Sequence, residues 1–315
     1  MPDPTYTIPE HFEKRYAMTF AQEVQQSVSK FSPFLDADSQ WTGKQFVYRD
    51  LSKTNWVVNN SRGGTTPTRE STASFRSVFS DKLEPEEGII FPDWDDELLD
   101  RVSSPKSAEM EAMKMGFERA LDDLTISRLF SDVYVGTEAN GHTTAKAFPT
   151  ANILPVNYGT PVAPTAGSNQ PLTPWKIIRA KKMIEMADVD LDREELLLAI
   201  SPEEVEDLIY YVSTAPNELW ATIVGDWLKA YQSGNTLAKL MGCTVIRSNR
   251  LTVSSGIRTC ALYCRSAFVR SAYMDVKSSF DKLPREKHAM QLWSSARVGI
   301  GRRRDEGVIQ IPCAH

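Results

Sequence analysis

The residues that could do chemistry do not converge. The four histidines, His11, His142, His288 and His315, are scattered, and none shares a spacing with a carboxylate or cysteine cluster that would build a metal centre or a triad. Of the four cysteines, Cys243, Cys260, Cys264 and Cys313, the middle pair sits in a strand-like run, IRTCALYCR (257–265). An extended chain would hold Cys260 and Cys264 about 13 Å apart, too far for one disulfide or one tetrahedral metal. Reduced, buried thiols are the simpler reading, with a metal site as the alternative. Asp188-Val189-Asp190-Leu191-Asp192 resembles the start of a calcium loop, but Arg193 stands where glycine is needed and Ala199 where glutamate is needed. Gly234 and Gly242 lack the spacing of a phosphate-cradling loop and no Lys-Ser/Thr follows; Gly299-Ile300-Gly301 lacks the third glycine of a dinucleotide fingerprint. A nucleophile elbow, Gly-x-Ser-x-Gly, is absent. Arg302-Arg303-Arg304 could grip phosphates, yet it is a short patch beside Asp305 and Glu306, which favours a solvated turn or an ion pair between subunits. No catalytic, cofactor-binding or metal-binding residue is assigned, and the chain does not read as an enzyme.

The chain has 315 residues, enough for one large domain or two ordinary ones with a substantial core. Its net charge of −5 argues against a dedicated nucleic-acid binder. The charge is uneven. Residues 84–100 (EPEEGIIFPDWDDELLD) hold eight carboxylates and no base, whereas residues 251–315 hold eleven Lys/Arg against five Asp/Glu. That split suits self-association between unlike surfaces, or two separately solvated faces. No hydrophobic run follows a basic start and no stretch is long enough to span a bilayer, so the sequon at Asn59-Asn60-Ser61 reads as a turn.

Local pattern supplies the elements. Phe12, Tyr16, Phe20, Val24 and Val28 recur every four residues behind Pro9 and predict an amphipathic helix over 9–31. From 41 to 83 the period changes to that of strands. KQFVY (44–48), NWVVN (55–59) and TASFRSVF (72–79) flank the turn cluster SRGGTTPT (61–68) and predict a long polar hairpin with Gly63 and Gly64 near its tip. Its apolar content is too thin for a private core, so it should project and pack elsewhere. Ser104-Pro105 opens a helix on which Met110, Met113, Phe117, Leu121 and Leu124 keep helical spacing to about Phe130. Residues 136–171 read as a long Gly/Thr/Pro/Asn-rich loop. Thr173-Pro174 starts a second helix, ELLLAI (195–200) is a strand, and Ser201-Pro202-Glu203-Glu204 is a complete capping box. Val205, Leu208, Ile209 and Val212 form the stripe of the helix it opens. Another helix carries Trp220, Ile223, Val224, Trp227, Leu228 and Tyr231 and stops at Gly234. CTVIR (243–247), IRTCALYCR and SAFVRSAYM (266–274) follow, and KHAMQLW (287–293) and GVIQI (307–311) close the chain.

This order of elements resembles the tailed-bacteriophage major capsid proteins of Hong Kong 97 type. The residue-level likeness lies in CALYCRSAFVRSAYMDVKSSF (260–280) with SARVGIGRRRDEGVIQIPC (295–313), which look like the closing signature of that family. That signature has a strand, a short helix with Ala267 and Ala272, a polar start at Asp275, a glycine-containing strand, a charged turn and a terminal strand. LLLAISPEEVEDL (196–208) resembles the family's strand–Ser-Pro–helix entry into its axial domain. The resemblance implies an α+β, Hong Kong 97-type capsid fold. Its parts are an N-terminal arm (1–40), an extended hairpin loop (41–83), and a peripheral domain with spine helix and long loop (84–171). An α/β axial domain (172–274) follows, then C-terminal strands returning to the peripheral domain (275–315).

The implied function is a subunit that self-assembles into pentamers and hexamers of an icosahedral shell around packaged double-stranded DNA, without sequence-specific binding. No cofactor is implied. The implied partners are a separate scaffolding protein, since no long cleavable N-terminal region is present, a portal, and a cement protein. The chain would assemble in the host cytoplasm and reside in the virion. Expected interface residues are Lys53, Trp56, Arg62, Gly63 and Gly64 of the hairpin, Asp95 and Asp96 of the acidic tract, and Arg302, Arg303 and Arg304. Some capsids of this fold join a hairpin lysine to an asparagine of the C-terminal part; Lys44 and Lys53 could supply the amine, but the last asparagine here is Asn249. Three other readings compete: a host-encoded encapsulating shell of the same fold; from a different class, a small α/β hydrolase; and a nucleic-acid-binding module, against which the acidic balance weighs.

Overall fold

The computed structural model describes residues 25–38, 43–51, 56, 58, 63, 73–91, 106–137, 141–214, 218–233, 239–286 and 289–314. In chain order the strands begin with β1 (Asp36–Ala37), β2 (Gln45–Leu51), β3 (Ala73–Leu83) and β4 (Ile89–Phe91). Helix α1 (Lys106–Leu129) is followed by β5 (Val133–Val135), β6 (Thr144–Lys146), α2 (Pro174–Glu185) and β7 (Leu196–Ile200). Then come α3 (Pro202–Thr214), α4 (Glu218–Gln232), β8 (Lys239–Leu240), β9 (Cys243–Arg247), β10 (Val253–Ser254) and β11 (Ile257–Cys264). Three strands finish the chain: β12 (Phe268–Lys282), β13 (Met290–Arg302) and β14 (Val308–Ala314).

The chain divides into two compact units, the smaller made of 1–28, 84–119 and 276–296, the larger of the remainder. In the smaller unit β4 pairs antiparallel with β13, from Met290↔Phe91 to Leu292↔Ile89, and β13 pairs on its other side with the distal part of β12. Leu292 and Ala296 are buried. Ser294 donates to the sulfur of Met113 on α1 at 3.5 Å.

The larger unit holds two sheets. One runs β1-β12-β13-β3-β5-β6, with β2 also on β3; the other runs β10-β11-β7-β9-β8, with β14 on the far side of β11. β7 and β9 are parallel, which requires a crossover, and α3 and α4 supply it. All five residues of β7 are buried, as are four of the five in β9, as expected of strands covered on both faces. The start signals act as the sequence implies. The Thr173 side chain accepts from the Lys176 backbone N–H. At α3, Ser201 N–H donates to Glu204 Oε2 at 2.9 Å and Glu203 N–H donates to Ser201 Oγ at 3.2 Å. Val205 and Leu208 face the core.

Several expectations change. Residues 25–31 carry no helix, and Val28 is exposed, because Asp122 captures this segment instead. The buried carboxylate accepts from Ser29 Oγ at 2.5 Å and from the N–H groups of Lys30 and Phe31 at 3.1 and 3.2 Å. The rest of the 9–31 stripe, and Ser104-Pro105 before α1, lie outside the described residues. Met110 on α1 is exposed, and the buried stripe of that helix is Leu121, Ile126 and Leu129. The 136–171 stretch is not structureless: it contains β6, a 3-10 turn over Thr150–Asn152 and bridges Ile153↔Gln310 and Tyr158↔Thr165. No short helix carries Ala267 and Ala272; a 3-10 turn, Arg265–Ala267, leads directly into the fifteen-residue β12. The last strand, β14, pairs with β11 over seven residues, from Ile257↔Ala314 to Tyr263↔Val308.

Candidate assembly surfaces

The hairpin predicted over 41–83 starts from a ladder of seven pairs, Gln45↔Phe79 to Leu51↔Ala73. Phe79 meets Tyr134 of β5 edge-on, and Gln45 donates to Ser77 Oγ at 3.0 Å. Leu51, in the last pair of the ladder, is 70% exposed; beyond the ladder Trp56 is 97% exposed and Val58 86%. Gly63, at the expected tip, has φ +86°, a left-handed conformation that glycine adopts at no steric cost. Lys53, Arg62 and Gly64 lie outside the described residues, as do Asp95 and Asp96.

The charged turn after β13 grips this hairpin at its root. Arg76 of β3 donates through both terminal nitrogens to Asp305, at 2.9 and 2.7 Å. Arg302 Nε donates to the same carboxylate at 2.8 Å and its Nη1 to the Leu129 carbonyl at 2.8 Å. Lys146 Nζ stands 3.3 Å away. Arg303 donates to Asp50 of β2 at 3.1 Å and lies over the Tyr48 ring, 5.3 Å from its centroid. Arg304 is 4.0 Å from the same Asp50 oxygen. Tyr48 closes the arrangement by donating to Asp38 at 2.9 Å.

Burial alone would raise the Asp305 carboxyl, but the hydrogen bonds and charges of Arg76 and Arg302 outweigh it and hold the group well below the ordinary carboxylate range. Burial lowers Arg302 despite its bond to Asp305. Arginine titrates so far above neutrality that it remains charged. Burial, and then the bond to Asp38, push the Tyr48 hydroxyl up. This constellation is a mechanical clamp.

Arg302 therefore leaves the set of surface residues: its side chain is 0% exposed and its bonds are made inside the subunit. Arg303 and Arg304 stay partly exposed, but Asp50 already stands beside both. The sequence offered no sign of Asp305, Arg76 or Asp50 as partners, since the contacts span 229 and 253 residues. All four cysteines are buried, with no disulfide among them. Burial pushes the Cys243 thiol up to about 11 and that of Cys264 to about 12. Among the described residues, no three His, Cys, Asp or Glu side chains stand close enough to hold a metal ion. A cavity of about 360 Å³ beside β3 is lined by acids and bases together, Asp81, Arg128, Asp132 and Arg302 among them, and defines no ligand.

Solved structures match this fold along its whole length. The capsid of Ralstonia phage GP4 superposes with a TM-score of 0.70, covering 99% of this chain and 96% of that one at 13% identity. The Cyanophage Pam1 capsid asymmetric unit gives 0.70, covering 99% of each chain at 12% identity. The acidic stable capsid structure of Helicobacter pylori bacteriophage KHP30 gives 0.64, covering 100% and 98% at 10% identity. No curated protein matches the sequence. The fold is the Hong Kong 97-type capsid fold of tailed phages. A family model described as phage capsid protein matches residues 8–315, and the chain belongs to that family. It is a structural subunit of a phage capsid, and its place is the virion. The comparisons lend nothing to a hydrolase.

Proposed function

We propose that this chain is the major subunit of an icosahedral shell, assembling as pentamers and hexamers around packaged double-stranded phage DNA. One observation carries the reading. The described residues beyond the β2–β3 ladder present Trp56 and Val58 almost wholly to solvent, and Leu51 at its last pair is mostly exposed. A tryptophan left 97% exposed forgoes burial of one of the largest apolar surfaces a side chain offers. A neighbouring copy would recover it. The clamp of Arg76, Arg303 and Asp305 fits this purpose, because a projecting element transmits load only if its root is fixed.

In this reading 172–274 gathers around the five-fold and six-fold centres. The spine helix region and the 41–83 hairpin form the periphery, with the hairpin lying on an adjacent subunit. The acidic 84–100 tract, with Asp95 and Asp96, meets bases of a neighbour, Arg303 and Arg304 being the remaining candidates of the triple arginine. Lys53, Arg62, Gly63 and Gly64 lie along the same hairpin contact. Scaffolding, portal and cement proteins are separate chains. The particle assembles in the host cytoplasm and encloses DNA without reading its sequence.

Negative-stain microscopy of the purified chain tests this directly. Shells or ring-like capsomers are expected, and deletion of residues 55–70 should leave a folded, soluble subunit that forms neither. A wild-type chain that stays a monodisperse monomer under all assembly conditions would overturn the reading.

A further inference from the structure

Among the described residues, the distal half of β12 is an open sheet edge: the strand neighbours of β12 are β1 and β13, and β1 pairs with it at Val269 and Arg270. Residues 276–282, VKSSFDK, are exposed at every position, Val276 and Phe280 included. A seven-residue edge with no outer strand partner among the described residues is a template for another strand.

The backbone parity of that edge follows from its inner partner. Leu283 N–H donates to Ala289 carbonyl at 2.9 Å, which makes 283 and 289 a hydrogen-bonded pair. The hydroxyls of Ser278 and Ser294 meet at 2.9 Å, in the same register. Hydrogen-bonded and non-hydrogen-bonded pairs alternate along an antiparallel ladder. Residues 277, 279 and 281 therefore turn their N–H and C=O groups to β13, and 276, 278, 280 and 282 turn theirs outward.

We propose that this edge pairs antiparallel with the same edge of a second copy, about a two-fold axis through Ser279, an inference that rests on the shell reading. Centred there, the outward backbone groups pair as 278 with 280 and 276 with 282. Position 279 meets itself in a non-hydrogen-bonded pair, where side chains approach most closely. Lys277 then stands opposite Asp281 of the second copy, and Asp281 opposite its Lys277. Lys277 has no ion pair among the described residues, and Asp281 accepts only from Ser279 Oγ of its own strand, at 2.9 Å. Such a contact is isologous and closes on itself, as two-fold contacts do. A register shifted by one residue would present backbone groups of the wrong parity, and a shift by two would break the Lys277–Asp281 match.

The test is cysteine trapping in assembled particles of the full chain. The native cysteines are buried, so an added surface thiol is the reporter. Ser279→Cys particles, mildly oxidised and run without reductant, should give a dimer of two 35.4 kDa chains joined at residue 279. Ser278→Cys, whose direct partner is not itself, should give about tenfold less, because disulfides demand a close Cβ approach. Independently, Lys277→Asp and Asp281→Lys should each reduce particle yield severalfold, and the double exchange should restore it. Shells that form normally without a 279–279 link, a link from 279 to a different segment, or a double exchange as defective as the singles would each overturn the pairing while leaving the shell reading intact. A wild-type chain that builds no particles overturns both.

Discussion

Arg76 and Asp305 face each other through a pair of parallel hydrogen bonds, 2.9 and 2.7 Å long, that tie the outgoing strand of the hairpin to the turn before the last strand. Both side chains are nearly buried, 11% and 5% exposed, so solvent screens the pair weakly. Asp305 also accepts from Arg302, so one buried carboxylate is shared by two guanidinium groups.

Asp305→Asn should therefore destabilise the subunit by about 3 kcal/mol, the scale for removing one partner of a buried pair. The pH dependence has a definite sign. The folded-state carboxyl titrates below its unfolded value, so its contribution is complete above the ordinary carboxylate range and is lost as pH falls through that range toward the depressed folded value. Denaturant melts of wild type and variant should differ widely at pH 7 and converge in strong acid. A gap that stays constant down to pH 2 would exclude the linkage.

Gly301 lies on β13 where a Cβ would sit 2.5 and 2.7 Å from the two methyl carbons of Val78 on β3. Gly301→Ala should cost about 1–3 kcal/mol by overpacking. Pairing it with Val78→Ala should recover part of that loss, and thermal unfolding of the three variants reads the coupling. Equal Tm for Gly301→Ala and wild type would refute the close approach.

Where a single helix turn decides the outcome, the sequence is sufficient. Thr173-Pro174 and the Ser201–Glu204 box make their capping bonds within three residues. β7 and β9 are also readable, because burial on both faces selects a continuous apolar run. β12 is not readable to its end. Beyond residue 275 it is exposed at every position, so no alternation marks the strand, and only its pairing with β13 defines it. The clamp is illegible for another reason. Asp50, Arg76 and Arg303 look like ordinary surface charges until the fold brings residues more than 200 positions apart into contact.

The capping box at α3 is coupled to a third group. Arg258 of β11 lies against Ser201 Oγ and pairs with Glu203 at 2.6 Å and with Glu204 at 3.6 Å. Ser201→Ala should cost about 1 kcal/mol through the lost cap. Glu204→Gln, which keeps the reciprocal hydrogen bond to the Ser201 N–H, should cost less in a background where Arg258 is already methionine. A double-mutant cycle from urea melts measures that coupling, and additive effects would show that Arg258 does not contribute.

Trp56 separates assembly from folding. At 97% exposure it contributes nothing to the subunit's own core, so Trp56→Ala should leave Tm and the urea midpoint unchanged within error. Buried against a neighbour, the same side chain would act as an interface anchor, and anchors of this type typically lose about 2 kcal/mol or more on truncation. The variant should therefore need a roughly thirtyfold higher subunit concentration to form particles, the factor that 2 kcal/mol corresponds to. Light scattering across a concentration series measures this threshold. An unchanged threshold would place the hairpin outside the assembly contacts.

Covalent reinforcement is the last question the residues decide. The hairpin lysines proposed to supply the amine are Lys44, exposed just before β2, and Lys53, outside the described residues. The asparagine acceptor that some capsids of this fold use in the C-terminal part has no counterpart here, since residues 250–315 contain none. The one carboxylate buried in the 297–315 segment, Asp305, is held ionised by two arginines and bonded to both, so it is a poor proton acceptor for an attacking amine. Particle strength should then come from apolar burial at Trp56 and its neighbours and from main-chain pairing at open edges. Mature particles boiled in SDS with reductant should run as a single band at the 35.4 kDa monomer. A ladder of multimers resistant to both would show a cross-link, and tandem mass spectrometry of the dimer band would then identify an acceptor other than a C-terminal asparagine.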